Sequence, residues 1–459
     1  MRQINFALAL LAAATLAACG GTSSTGGDQT LKTKFASQVT FGDSLSDVGT
    51  YNVGGVKVAG GGKYTINGNN TSKEATLTGQ NWTELVAAQL GLPAPCAAQT
   101  GLEGIDSTDP AKDYNVAIVN NANCFNYAQG GARVTDPIGN GHKATGSPLG
   151  QMTVPVVTQI QMHLTKGGGK FKGDELVTVM AGGNDVLVQL GMLSAAATAE
   201  GNRVGQVTFA TSLTGQLAAG ATNPQTAAQA IGAAIQTESA RPGSTSTSVV
   251  QVAVGTAAVQ PGNSAVASPA VYGPMVTKAQ ADASAAGAKA GADYATANGP
   301  KLVANMALAG DELANLVKNQ IIAKGANYVV VNNLPDVANT PSGKAQSAST
   351  QALIKAMVDA FNDKLKAGVG AEAKVLYVDL YAVSHDQVTN PGPYGLTNTS
   401  TPACGPNMLG TTSLVCTAAN TIAGDVSHYM FADDIHPTPF EYSLVAKYVL
   451  QQMIVKGWL

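Results

Sequence analysis

Charged and aromatic residues are both scarce in this chain of 459 residues. Asp, Glu, Lys and Arg together make up 12% of the sequence, aromatic residues make up 5%, and the formal net charge is −3. A chain with so little charge of either sign has no basic face with which to bind phosphate backbones. We therefore expect no nucleic acid among its partners. The hydrophobic fraction of 45% is instead typical of a globular protein with a buried core.

The apolar run at the N-terminus is too short for a membrane-spanning helix. Arg2 precedes an apolar stretch over residues 4–16, and this arrangement is typical of an export signal. The stretch ends in Leu16-Ala17-Ala18-Cys19, which resembles a bacterial lipobox, in which the cysteine is lipidated. We therefore predict that residues 1–19 form a lipoprotein signal peptide and that Cys19 carries the lipid.

The residues that follow Cys19 predict where the protein is anchored. Gly20 after the cysteine favours the outer membrane, by resemblance to lipoprotein sorting, and residues 20–35 read as a flexible tether. The alternative is a plain secretory signal that leaves Cys19 free, with a periplasmic or secreted protein.

The other four cysteines do not have the spacing of metal or redox motifs. No pair fits the C-x-x-C pattern of zinc sites, and we expect neither a metal nor an organic cofactor. An even number of cysteines in an exported chain predicts disulfides. Four cysteines allow three pairings, and we favour the one between sequence neighbours, Cys96 with Cys124 and Cys404 with Cys416.

Strand and helix patterns alternate along most of residues 36–459. The predicted strands cover residues 37–41, 175–180, 327–332 and 374–380, and a further stretch at 124–133 resembles a strand running into a glycine turn. The predicted helices cover residues 81–91, 154–165, 302–324, 351–366 and 440–456. This alternation predicts an α/β fold, a three-layer α/β/α sandwich with a mainly parallel central sheet.

Residues 190–300 interrupt this alternation. The segment is rich in Ala, Gly, Ser and Thr, has few aromatic residues, and shows two weak helical patterns over 226–239 and 278–297. We expect a surface-lying helical insertion, since so few aromatic residues provide little with which to build a separate core.

Ser44 is the candidate nucleophile because it follows the turn at the end of the first strand. Chemistry in parallel α/β sheets collects at the carboxyl ends of strands. A serine becomes nucleophilic when a histidine takes its proton and a carboxylate orients that histidine. Asp433 and His436, three residues apart, form one candidate pair, and Asp425 and His428 form a second at the same spacing.

Such a serine also needs N–H donors for the oxyanion that forms during acyl transfer. Gly130 and Gly131 offer backbone N–H groups without side chains in the way, and Asn184 offers a side-chain amide after the strand at 175–180. We interpret Asp185 as a helix N-cap. His142, His163 and His385 lack a carboxylate three residues earlier and are interpreted as surface or loop residues.

Four sequence blocks resemble those of the GDSL lipase/esterase family, the SGNH hydrolases, and occur in the family's order. The blocks are Gly42-Asp43-Ser44-Leu45-Ser46-Asp47, Asn126-Tyr127-Ala128-Gln129-Gly130-Gly131-Ala132, Gly182-Gly183-Asn184-Asp185 and Asp433-Asp434-Ile435-His436-Pro437-Thr438. Asn333-Leu334-Pro335-Asp336 is also similar to a family loop. The segment 190–300 departs from the family by its length.

The resemblance implies the SGNH, flavodoxin-like sandwich and a serine esterase or lipase that acts through an acyl-enzyme. It implies a triad of Ser44, Asp433 and His436, with Ser44, Asn184 and a block-two glycine as oxyanion donors, for which we favour Gly131 over Gly130. The same triad would also serve an acyltransferase or a carbohydrate deacetylase. A third alternative is a surface lipoprotein that binds a partner through residues 190–300. The expected substrate is a small-molecule or lipid ester.

Overall fold

The computed structural model describes residues 32–68 and 78–459. The predicted signal peptide, the lipidation of Cys19 and most of the predicted tether lie outside the described residues. Across the described ranges, no helix combines the length and the apolar character needed to cross a bilayer.

A four-stranded parallel sheet forms the centre of the protein. The strands, in chain order, are β1 (Ser37–Gly42), β2 (Gln99–Glu103), β3 (Asn115–Asn120), β4 (Glu175–Met180), β5 (Tyr328–Asn332) and β6 (Val375–Val378). The central sheet has the order β1-β4-β5-β6, whereas β2 and β3 pair antiparallel apart from it. The four predicted strands are thus confirmed to within three residues at each end.

Eleven α-helices surround the strands in the described part of the chain. They are α1 (Gly54–Val58), α2 (Trp82–Gln89), α3 (Val156–Lys166), α4 (Gly183–Ala218), α5 (Pro224–Ser239), α6 (Ser246–Ala258), α7 (Pro269–Leu316), α8 (Pro341–Lys344), α9 (Ala348–Val369), α10 (Leu380–Thr389) and α11 (Pro439–Lys456).

Helices cover both faces of the sheet, so the predicted three-layer sandwich is confirmed. Alternate residues of a strand point to opposite faces. In β4, Val177 belongs to a core built with α3, α4, α7 and α9. The neighbouring Leu176 belongs to a second core with Trp82 of α2 and Tyr442 of α11. Burial on both faces explains why β4 is a nearly continuous apolar run.

The segment at 124–133 is not a strand, so this prediction was wrong. Asn126 makes isolated parallel bridges to Thr40 and to Ala97, and the predicted glycine turn is present at Gly130 and Gly131. Backbone hydrogen bonds to β1 continue as far as the N–H of Gln129, which donates to the carbonyl of Gly42 at 3.2 Å, whereas the N–H of Gly130 donates to the carboxylate of Asp47.

Helices α4 and α7 form a long antiparallel hairpin within the predicted insertion. A Cβ built at Gly201 would lie 2.8 Å from the carbonyl oxygen of Gly287, and one built at Gly205 would lie 3.3 Å from that of Ala283. The two backbones therefore approach as closely as glycine allows.

The far end of this hairpin has its own core, although the scarcity of aromatic residues predicted little with which to build one. Leu213, Ile231 and Ala253 are fully buried there together with residues of α5, α6 and α7. Aliphatic and alanine side chains supply this core, so aromatic residues are not required. Helix α7 also continues through Pro300, where two separate helices were predicted.

Both predicted disulfides, Cys96–Cys124 and Cys404–Cys416, are present in the structure. The Cys404–Cys416 disulfide closes a short loop that lies beside Asp433.

Candidate active site

Ser44, His436 and Asp433 form a continuous chain of hydrogen bonds. Oγ of Ser44 lies 2.9 Å from Nε2 of His436. Nδ1 of His436 lies 2.9 and 2.8 Å from the two carboxylate oxygens of Asp433. A carboxylate accepts but does not donate, so the Nδ1 position carries the proton and Nε2 is left to accept from the serine hydroxyl.

Asp433 is 5% exposed and is held by three backbone donors. The N–H groups of Ile435 and His436 donate to Oδ1 at 2.9 and 2.7 Å, and the N–H of Ser413 donates to Oδ2 at 2.7 Å. Burial would raise the pKa of Asp433, but His436 and the hydrogen bonds outweigh burial, and the pKa lies below the ordinary value of an aspartate. The carboxylate therefore stays ionised beside the imidazole.

Tyr64 packs against the ring of His436, with the ring centroids 4.7 Å apart. Two hydrogen bonds fix the loop that carries Tyr64. The hydroxyl of Tyr442 donates to the carbonyl of Tyr64 at 3.2 Å, and Thr65 donates to the carbonyl of Pro437 at 3.0 Å. No pattern in the sequence indicated Tyr64, which lies in a Gly-rich loop without periodicity.

The two candidate glycines differ in whether their N–H is free. The N–H of Gly130 donates to Oδ2 of Asp47 at 2.9 Å. Among the described residues, no group accepts a hydrogen bond from the N–H of Gly131 or of Ser44. Gly131 has φ +81°, and an added Cβ would collide with the carbonyl of Asn140. These facts favour Gly131 over Gly130 as the donor and explain why glycine is needed there.

Asp47 belongs to the first sequence block, and its role is visible only in the structure. Besides Gly130, it accepts from the N–H groups of Gly49 and Thr50 at 2.9 and 2.8 Å. Its burial raises its pKa to about 6 despite these donors. Asp47 thus connects the turn that follows Ser44 to the turn at Gly130 and Gly131.

Asn184 stands in the first turn of α4, directly beyond the carboxyl end of β4. Its Nδ2 donates to the carbonyl of Ala132 at 3.0 Å, which leaves its second amide hydrogen unassigned. Because Gly42 of β1 pairs with Met180 of β4, the residues that follow the two strands emerge at the same sheet edge. The amide of Asn184 and the hydroxyl of Ser44 are both carried there.

Asp185 is not the N-cap of α4, which corrects the sequence interpretation. The N-cap is Gly182, and the Asp185 carboxylate accepts from Nε of Arg133 at 2.9 Å and from the N–H of Val134 at 3.1 Å. It is therefore a buried ion-pair partner of the segment that follows the glycine turn.

Asp43, beside the serine, is also buried and was given no role from sequence. Burial raises its pKa to about 7, although the N–H of Leu45 and the nearby His436 oppose the rise. Asp43 therefore titrates near neutral pH next to the serine turn.

The other histidines lie elsewhere. His428 stacks on Phe440 at 4.1 Å, and its Nδ1 lies 2.8 Å from the carbonyl of Gly395. His163, which was interpreted as a surface or loop residue, is instead buried within α3, and burial lowers its pKa to about 4. His385 is half exposed on α10, with its Nδ1 2.6 Å from Asp336.

Together these groups can activate a hydroxyl and stabilise an anion. A serine O–H is aimed at an imidazole nitrogen whose partner nitrogen is held by an ionised carboxylate. Two backbone N–H groups and one amide hydrogen nearby have no described acceptor. This combination suits acyl transfer, in which negative charge develops on a carbonyl oxygen.

A family model described as GDSL-like lipase/acylhydrolase matches residues 198–449, more than half of the chain. The match includes Asp433 and His436 and begins after Ser44.

Curated proteins of Arabidopsis thaliana are also similar to parts of the chain. One GDSL esterase/lipase is 37% identical over 81 residues, 18% of this chain and 22% of its own. A second is 34% identical over 87 residues, 19% and 23% of the two chains. The anther-specific proline-rich protein APG is 27% identical over 143 residues, 29% of this chain and 27% of its own. The aligned part of the chain thus spans about a quarter of the length of these relatives.

Proposed function

Because this chain belongs to the GDSL-like lipase/acylhydrolase family, we propose that it is a serine esterase or lipase that hydrolyses carboxylic esters. The observation that carries the proposal is the chain of hydrogen bonds from Ser44 through His436 to Asp433. Ser44 is the nucleophile, His436 the general acid and base, and Asp433 the group that fixes the imidazole tautomer.

The reaction begins when Oγ of Ser44 attacks the ester carbonyl and Nε2 of His436 takes its proton. The carbonyl oxygen becomes an oxyanion, which the N–H groups of Ser44 and Gly131 and the amide of Asn184 stabilise. His436 then gives its proton to the leaving alcohol, and the acyl group remains on Ser44. A water molecule, activated in the same way by His436, releases the carboxylic acid and restores the serine.

Hydrolysis of p-nitrophenyl butyrate by wild type and by Ser44→Ala tests the proposal. The Ser44→Ala variant should lose hydrolysis and labelling by an organophosphonate, since no other serine among the described residues has these partners. Ser400→Ala, at an exposed position, is the matched control and should retain both. Full labelling of the Ser44→Ala variant would remove Ser44 from the mechanism.

Export and lipid anchoring at Cys19 belong to the same proposal. The lipobox-like Leu16-Ala17-Ala18-Cys19 supports them, and two disulfides suit an oxidising compartment. Cys19→Ser should move the protein from the membrane fraction to the soluble one. An unmodified mature N-terminus in mass spectrometry would contradict the anchor.

A further inference from the structure

A groove of about 2010 Å³ begins beside the triad and follows the helical hairpin. At one end it is lined by Ile435, the residue that precedes His436 and donates its N–H to Asp433. Helix α4, whose first turn carries Asn184, forms one wall. Leu187 and Gly191 lie about one and two turns beyond Asn184, and both face the groove.

The end of the groove nearest the triad is aliphatic. Side chains of three elements meet there: Leu187 and Leu190 of α4, Val303 of α7, and Leu353 and Ile354 of α9. Ile354 is buried and the other four are half-buried. An aliphatic ligand would cover the apolar surface that these side chains present to the groove, and its binding would be favoured by roughly 25 cal/mol per Å² of surface covered.

The floor of the groove is made by the crossing of α4 and α7. Gly201 and Gly205 of α4 and Gly287 and Gly291 of α7 line it, and because they carry no side chains the two helix backbones approach closely there. The lining residues on α4 extend from Leu187 to Ala210, about 35 Å at the rise of an α-helix. The groove is therefore long as well as wide, and its volume exceeds the roughly 1,000 Å³ of large small-molecule pockets.

None of the described residues that line the groove is Asp, Glu, Lys, Arg or His. The polar groups present are the hydroxyls and amides of Ser, Thr, Asn and Gln. A charged ligand would lose water without gaining a counter-ion, which is costly, whereas a neutral chain meets no such penalty.

We propose that this groove binds the acyl chain of a neutral, long-chain ester, which enters beside Ile435 and extends along α4 past Gly191. The proposal rests on the proposed function, because it places the carbonyl carbon at Ser44. The reacting ester group is held at the edge of the sheet. Its acyl chain lies against helices α4, α7 and α9, which form the groove beyond the sheet.

Gly191 allows the groove to be blocked without disturbing the hairpin. An added Cβ at Gly191 meets no atom within 4 Å, and the same is true of Gly215, which is exposed on α4 and does not line the groove. Gly191→Trp fills the groove, and Gly215→Trp is the matched control. Because Gly191 is about 10 Å along α4 from Asn184, and an extended chain advances roughly 1.2 Å per bond, a chain of about eight carbons reaches it.

The test measures kcat/KM on p-nitrophenyl esters from acetyl to palmitoyl. In wild type, each added CH₂ should raise kcat/KM by up to about fourfold until the chain leaves the groove. Gly191→Trp should keep acetyl and butyryl hydrolysis within about twofold of wild type and lose at least tenfold on decanoyl and longer esters. Gly215→Trp should match wild type throughout, and an ω-carboxylated decanoyl ester should be a poorer substrate than the neutral one.

Parallel chain-length profiles for the three proteins would overturn the groove proposal while leaving the esterase function intact. Absence of hydrolysis of every ester would instead defeat the proposed function. In that case, displacement of a polarity-sensitive dye by dodecanol still tests whether the groove binds an alkyl chain. Displacement that Gly191→Trp weakens and Gly215→Trp does not would support the proposal, and equal displacement from all three would refute it.

Discussion

The backbone N–H of Ser413 donates a 2.7 Å hydrogen bond to Oδ2 of Asp433. Ser413 lies within the loop that the Cys404–Cys416 disulfide closes, three residues before Cys416. The backbone of Cys416 in turn accepts from the N–H of Asn67 at 2.8 Å, in the loop that carries Tyr64. The disulfide therefore holds a donor against the carboxylate that orients His436.

Removing this disulfide should impair catalysis as well as stability. We expect Cys404→Ser/Cys416→Ser to lose about 3 kcal/mol of unfolding free energy by loop-closure arguments. Its kcat should also fall by roughly tenfold or more, because a hydrogen bond to a charged group is weakened. Cys96→Ser/Cys124→Ser is the control and should lose stability but keep kcat. Denaturant unfolding and p-nitrophenyl butyrate turnover give the two readouts; equal losses of kcat in both variants would contradict the role of Ser413.

His436→Ala and His428→Ala should behave very differently, although both histidines follow an aspartate by three residues. His436 contacts Ser44, so its loss should lower kcat by about 10⁴-fold. His428 contacts Gly395 and Phe440 instead, so its loss should change kcat by less than about threefold. Steady-state kinetics at one pH suffices. The reverse order of effects would transfer the acid and base role to His428.

Asn184→Ala should lower kcat by roughly 100- to 1,000-fold, the usual cost of one oxyanion donor. Asn184→Asp is a nearly isosteric companion that cannot donate at neutral pH, so it should be as damaging. A change in KM alone, with kcat preserved in either variant, would make Asn184 a substrate-binding residue.

Glu441 should make the protein less stable as the pH rises. Burial raises its pKa in the folded state to about 8, from an ordinary value near 4.5. Between these values the folded protein binds more protons than the unfolded one, so the unfolding free energy falls with pH by up to about 1.4 kcal/mol per unit. Glu441→Gln cannot ionise. It should therefore match wild type near pH 5 and exceed it near pH 9 in thermal unfolding, and identical pH profiles would show that Glu441 ionises freely in the fold.

Local signals in the sequence predicted the elements on which the site is built. The alternating residues of β1 and the nearly continuous apolar run of β4 predicted strands that the structure has, whereas Asn81, predicted inside a helix, is the N-cap of α2. The packing of Tyr64 on His436 could not be predicted, because two residues 372 positions apart carry no joint pattern in one sequence. The same is true of Ser413 and Asp433, which meet through a disulfide loop.

Proline was the least reliable local signal. Pro300 predicts a helix break because it lacks an N–H and its ring crowds the preceding turn. Helix α7 nevertheless continues through it, since packing against α4 and α9 on the buried side outweighs the loss of one hydrogen bond. Tertiary contacts decided the structure there.

The close crossing of Gly201 and Gly287 bears on how the sheet assembles. Strand β4 ends at Met180 and its parallel neighbour β5 begins at Tyr328, so pairing them directly would close a loop at a cost of about 4 kcal/mol. If the antiparallel hairpin forms progressively from its tip, each turn of α4 packs against the adjacent turn of α7, and the ends of β4 and β5 are brought together gradually. We expect pulse-labelled hydrogen exchange to find α4 and α7 protected before β5, with the insertion acting as the folding nucleus of the sheet that carries it.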